Sequence, residues 1–302
     1  MILYFVKRAI RKYQRKADWR DITKVRRGFE RIIARYEKRS RRCSYQPVQI
    51  GAMPAEWIVP KAQPDTPKVL LYFHGGGYAT GSVNTHRGHI SQIVKTSGVR
   101  ALLINYRLAP EDPYPAAIED AVAAYQWLLQ QGYRSAQIAF GGDSAGGGLT
   151  VGSILYLRDN HIPLPKCAIA MSPWLDLTLT GDSMTTKEAV EPMIVKEALP
   201  LWAGNYLNGT DPRSSYVSPI FADLHGLPPM YIQVGTEELL LDDSVRFAAR
   251  AKEQGLDVKL DIYKGYFHVF QGFYRILYQA RIANKKLGEF LLQHLDTSAV
   301  SH

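Results

Sequence analysis

The chain has 302 residues, 46% hydrophobic and 22% charged, the balance of an ordinary globular protein with room for a sizeable core. Its net charge of +9 is uneven: residues 1–42 hold 16 Lys and Arg against 4 Asp and Glu, the remainder 21 against 24. The basic character therefore belongs to one N-terminal segment, and no basic residues interleaved with base-stacking aromatics follow it, which argues against a nucleic-acid binder. The opening residues, apolar first and basic after, reverse the order of a signal peptide, and that apolar run is too short to span a bilayer. Two cysteines, Cys43 and Cys167, read as free thiols in a reducing compartment, so the expected location is the cytoplasm.

In the basic segment, Trp19, Ile22, Val25, Phe29, Ile32, Ile33 and Tyr36 recur at three- and four-residue steps. This predicts a helix whose apolar stripe faces the protein while its charges meet water. Short apolar runs then read as strands: EWIVP, KVLLYF, RALLINY, AQIAF, KCAIAM, MYIQVG and VKLDIY. Between them lie helical stretches: HISQIVKTSG, PAAIEDAVAAYQWLLQQG, the run after Ser144, DDSVRFAARAKEQG and the C-terminal GFYRILYQARIANKKLGEFLLQHL. Strands alternating with helices imply a mostly parallel sheet covered on both faces, an α/β fold. The stretch from about Leu175 to Tyr216 breaks the alternation with helical material such as VKEALPLWAGNYL. Residues 1–45 and 175–217 are thus expected to form a helical cap over a core of residues 46–174 and 218–302. Such a cap would keep water from a site beneath it.

Gly142-Asp143-Ser144-Ala145-Gly146 fits the G-x-S-x-G pattern, following a strand and opening a helix. That context presents a serine on a sharp turn at a helix N-terminus, where N–H groups favour developing negative charge. A second cluster, His74-Gly75-Gly76-Gly77, also follows a strand. Acyl transfer places charge on an oxygen, and the N–H groups of Gly75, Gly76 and Ala145 are candidate donors to it. Neither cluster completes a nucleotide-binding fingerprint.

A nucleophilic serine needs a base. Of eight histidines, His268 lies in a loop between the last strand and the last helix, where such a fold delivers groups to the strands' carboxyl ends. His74 belongs to the glycine turn, and His86 and His89 share a one-turn spacing without an evident third metal ligand. The orienting acid should fall between Ser144 and His268. Glu237, Glu238, Asp242 and Asp243 are available, and the two aspartates stand where a helix begins, so capping accounts for at least one of them.

Together these motifs resemble the hormone-sensitive-lipase-like esterases of the α/β-hydrolase superfamily, bacterial family IV. The resemblance covers most of the chain after residue 60 and also rests on NYRLAPEDPYPAAIED at 105–120, GGDSAGG at 141–147, SPWLDL at 172–177, GLPPMYIQVGTEELLLDDS at 226–244 and FHVF at 267–270. It implies hydrolysis of short- to medium-chain carboxylic esters by Ser144 and His268, with Glu238 at the position usually held by aspartate. A lipase, a lactonase or an amidase would use the same triad, and a non-catalytic receptor of this fold would lack the histidine. The resemblance also implies that Trp19, Met193, Ile194, Trp202 and Tyr206 border the substrate pockets, with Trp174 either lining the site or packing behind it. No cofactor or metal is called for. The expected partner is a small-molecule ester, without stable membrane insertion, and a homodimer is a family-level expectation.

Overall fold

The computed structural model describes residues 2–14, 18–36 and 38–295. Two helices, α1 (Ile2–Gln14) and α2 (Ile22–Tyr36), lead into β1 (Cys43–Ile50), β2 (Met53–Pro60) and β3 (Val69–Phe73). Helix α3 (Val83–Ser97) precedes β4 (Arg100–Ile104), and α4 (Ala116–Gln130) precedes β5 (Ile138–Asp143). Then follow α5 (Ala145–Asp159), β6 (Cys167–Met171), α6 (Ser183–Thr186), α7 (Ala198–Leu207), β7 (Met230–Gly235), α8 (Leu241–Glu253), β8 (Val258–Tyr263) and α9 (Tyr278–Leu295). The strands form one sheet in the order β1-β2-β4-β3-β5-β6-β7-β8. The two pairings made by β2 are antiparallel and all the others are parallel.

Alternation along the strands divides the core into two layers. Val69, Leu71 and Phe73 of β3 pack with the buried faces of α4, α5 and α8. Leu70 and Tyr72 point the other way, against α3 and α9, and join Ile169, Met171, Leu287 and Leu291. Gly141 of β5 faces this second layer, where a β-carbon would stand 2.8 Å from Ile169 and 2.9 Å from Leu70. Helix α3 is bounded by a capping box from Ser82 and Thr85 and by Gly98 in the left-handed conformation, so its orphan end groups are satisfied. Cys43 and Cys167 are buried free thiols on β1 and β6.

The structure differs from the sequence reading at several places, including α3, which starts at Val83 ahead of the expected stretch, and Trp19, which precedes α2. Strand β1 was not expected; it begins inside the segment assigned to the N-terminal helices and forms a sheet edge. Helix α9 starts six residues later than the expected stretch, because Phe270–Phe273 form a separate 3₁₀ turn. On α2, Val25 is buried and Ile22, Phe29, Ile32 and Ile33 are half-buried, but Tyr36 is exposed. Residues 175–217 contain α6 and α7 and no strand among the described residues. Among the described residues, no helix is long and apolar enough to cross a membrane.

Candidate active site

Three neighbouring parallel strands set the site. Asp143 of β5 pairs with Met171 of β6, and Met171 pairs with Gln233 of β7, so the loops leaving their carboxyl ends start side by side. Ser144 leaves β5 in a strained conformation, φ 53° and ψ −123°, immediately before α5. The N–H of Ser144 donates to Met171 O at 2.9 Å, and Trp174 N–H donates to Ser144 O at 2.9 Å. The turn is tight enough to demand glycine on both sides. A β-carbon at Gly142 would lie 2.1 Å from Gly146 O, and one at Gly146 would lie 2.1 Å from Phe73 O. Ser144 therefore occupies a strained turn at a helix N-terminus, with the first N–H groups of α5 beside it.

His268 follows β8 and is 5% exposed. Its Nδ1 lies 3.1 Å from Oε2 of fully buried Glu238, the geometry in which the ring N–H donates to the carboxylate. The other oxygen, Oε1, accepts from the Gly235 N–H and from the Ser172 hydroxyl at 2.8 Å. Ser172 Oγ in turn accepts the N–H of Val269 at 3.1 Å, so one serine holds both the acid and the histidine's own loop. Burial alone would lower the His268 pKa. The hydrogen bond and charge of Glu238, with Glu191 and Asp143 further off, outweigh it and raise the value above that of an ordinary histidine. Ser144 Oγ makes no hydrogen bond to His268 among the described residues; catalytic bonds commonly tighten only with substrate.

The other carboxylates of this stretch are occupied elsewhere. Glu237 pairs with Lys7 of α1 at 2.6 Å. Asp242 accepts from Ser183 N–H at 2.8 Å. Asp243 does not cap its own helix but accepts the N–H groups of Leu175 and Asp176, at 2.8 and 2.9 Å. Only Glu238 among these four reaches His268.

The N–H groups of the glycine turn differ in what they meet. The N–H of Gly75 donates to Asp143 Oδ1 at 3.1 Å, and the same oxygen accepts the Tyr72 hydroxyl at 2.6 Å and faces His86 Nε2 at 3.4 Å. Gly75 is therefore engaged in holding the turn, whereas the N–H groups of Gly76, Gly77 and Ala145 make no protein hydrogen bond among the described residues. Tyr106 and Arg26 fix the turn's position. His74 stacks on Tyr106 at 4.3 Å, and Tyr106 donates to His74 O at 2.7 Å. Burial, aided by the charge of His86, lowers the His74 pKa to about 3, so that ring stays neutral. From α2, Arg26 donates to Ala79 O at 2.6 Å while binding Glu111. His89 pairs with Asn284 at 2.9 Å.

The expected pocket residues separate into two sets. Trp202 of α7 lies against the glycine turn, since a β-carbon at Gly77 would meet its ring at 2.0 Å, and Trp19 packs on it at 5.7 Å. Met193 packs against the cluster around Phe267 and Phe270, beside His268, and Ile194 is half-buried against the main core. Trp174 and Tyr206 are each 1% exposed, with Tyr206 stacked on Tyr78 at 3.7 Å; both are core residues behind the site. Two residues near the centre were given no role by the sequence reading. One is Ser172. The other is Glu191, 6% exposed, whose Oε1 accepts the Met193 N–H at 2.7 Å while Oε2 is buried without a partner. Burial raises its carboxyl pKa to about 8.

The family described as alpha/beta hydrolase fold matches residues 70–272. An acetyl-hydrolase of Streptomyces hygroscopicus is 43% identical over 81% of each chain, and an esterase of Acinetobacter venetianus is 36% identical over 81% of this chain and 80% of its own. The solved structure of an esterase from the bacterial hormone-sensitive lipase family superposes with a TM-score of 0.93 at 40% identity, covering 97% of this chain and 98% of that one. A second, soaked with p-nitrophenyl butyrate, superposes at 0.91 with 39% identity over 97% and 98%. With its strand order, its strained serine turn and its buried His268–Glu238 pair, the chain belongs to the bacterial hormone-sensitive-lipase-like esterases of the α/β-hydrolase fold.

Proposed function

We propose that the protein hydrolyses short- to medium-chain carboxylic esters through a covalent acyl-enzyme formed on Ser144. The observation that carries this reading is the buried contact of His268 Nδ1 with Glu238 Oε2, which leaves Nε2 of the ring as the nitrogen able to accept a proton. Ser144 Oγ attacks the ester carbonyl as Nε2 takes its proton. Glu238 holds the tautomer and stabilises the imidazolium without taking the proton itself. The imidazolium then protonates the leaving alcohol, and water repeats the sequence to release the acid and free Ser144. The charge on the carbonyl oxygen is met by Gly76, Gly77 and Ala145, whose N–H groups are open, rather than by Gly75. Helices α1 and α2 with residues 175–217 serve as the cap, with Trp19, Met193, Ile194 and Trp202 as the pocket boundary.

The test is turnover of p-nitrophenyl esters of increasing acyl length by the wild type and by Ser144→Ala. The reading expects highest kcat/KM at short to medium chains and loss of essentially all turnover in Ser144→Ala. Turnover that survives this substitution would sink it.

A further inference from the structure

Helix α1 is amphipathic, yet it buries none of its residues. One face, carrying Leu3, Val6 and Ile10, packs on the cluster of Tyr263, Phe267, Phe270 and Leu277. The opposite face is open: Ile2, Tyr4 and Phe5 are 58%, 63% and 58% exposed. Ile2, Phe5, Ala9 and Lys12 follow one another at three- and four-residue steps, so the apolar tip and the basic residues share a single outward stripe. Arg8, also exposed, flanks it. The other cations of the helix are engaged inward: Lys7 pairs with Glu237, and Arg11 donates to Val190 O at 2.7 Å. Large apolar side chains at the tip with basic residues behind are what an interfacial helix presents to a bilayer. Singly exposed apolar residues need no explanation, but two aromatics and an isoleucine grouped on one short helix do.

We propose that the outer face of α1 docks the protein on the surface of an anionic lipid bilayer, with Ile2 and Phe5 entering the headgroup boundary and Arg8 and Lys12 meeting the lipid phosphates. Charge selects this occupant over a second copy of the chain. Residues 2–14 carry four cationic side chains and no acidic one, so two such faces would repel, while an anionic surface attracts them. The placement also has a consequence for the site. The inner face of α1 packs on Phe267 and Phe270, which flank His268, and Gln14 at its end donates to Met193 O. A bilayer under α1 would thus lie next to the cap boundary, within reach of esters partitioned into lipid.

The experiment is sedimentation of the full chain with lipid vesicles, either zwitterionic phosphatidylcholine or the same lipid with about 30% phosphatidylglycerol. The wild type should pellet with the anionic vesicles at about 20 mM salt and lose at least ~10-fold in partitioning at about 500 mM. It should bind the zwitterionic vesicles at least ~10-fold more weakly. The Ile2→Ser/Phe5→Ser and Arg8→Glu/Lys12→Glu pairs should each lose ~10-fold or more on anionic vesicles, with the thermal midpoint unchanged because these side chains are exposed. The proposal is overturned if the wild type stays in the supernatant at low salt, or if neither pair alters binding. It is equally overturned if ultracentrifugation finds a dimer that the Ile2→Ser/Phe5→Ser pair dissociates, since the face would then be self-associating.

Discussion

Trp202 of α7 lies directly on Gly77 of the glycine turn: a β-carbon at Gly77 would stand 2.0 Å from the indole Cε3. The inserted segment thereby touches the backbone proposed to hold the oxyanion, and Gly77 sits at φ +63°, where any other residue is strained. Gly77→Ala should lower kcat/KM by about 10²-fold, the scale of losing one oxyanion donor. Adding Trp202→Ala to it should recover a large part of that loss, because the ring is what the new methyl group meets. A double variant as impaired as the single one would place the damage in backbone strain alone.

Glu238 tests the acid. Removing the group that fixes the histidine tautomer typically costs about 10⁴ in kcat. Glu238→Ala should approach that figure, with Asp242→Ala within about 3-fold of wild type, since Asp242 is tied to the Ser183 N–H and not to His268. Measured kcat values in the reverse order would exchange the two assignments.

Ser172 is a positioning residue. Its hydroxyl donates to Glu238 and accepts from Val269, so Ser172→Ala leaves one buried N–H and one carboxylate oxygen short of a partner. At about 1–2 kcal/mol, kcat should fall about 10-fold with KM nearly unchanged. The acid limb of the pH–rate profile should also move, because the Glu238 carboxylate that raises the His268 pKa is then less firmly held. A KM effect alone would contradict this.

Much of this site was legible in the sequence, and the exceptions have physical reasons. Ser144, His268 and Glu238 lie at strand ends in an order the chain itself displays. Ser172 does not announce itself, because its value arises only when the loops after β6, β7 and β8 converge. The three glycines after His74 look equivalent as letters; only the fold reveals that Gly75 gives its N–H to Asp143. Strand β1 escaped because CSYQPVQI is a half-exposed edge strand containing Pro47, with little apolar alternation to read. Glu191 sits in EPMIV, a run with no periodic signal, and its burial is purely tertiary.

Glu191 makes the folded state less stable as pH rises. Burial raises its folded pKa to about 8 from the ordinary 4.5, so the folded state favours the neutral carboxyl. The unfolded chain loses this proton first, so the stability present below about pH 4.5 declines as pH rises toward 8. Glu191→Gln keeps the shape without the titration. Its Tm should exceed that of the wild type by at least about 3 °C at pH 8.5 and converge with it near pH 4.5. Parallel Tm curves across this range would show that Glu191 ionises normally.

The central claim is that Ser144 becomes covalently acylated. An organophosphonate ester of matching acyl length, followed by intact-mass and peptide mass spectrometry, tests it most directly. One adduct per chain, confined to the peptide carrying Ser144 and absent from Ser144→Ala, is the predicted result. Stoichiometric labelling of Ser144→Ala, or an adduct on any other residue of the wild type, would contradict it.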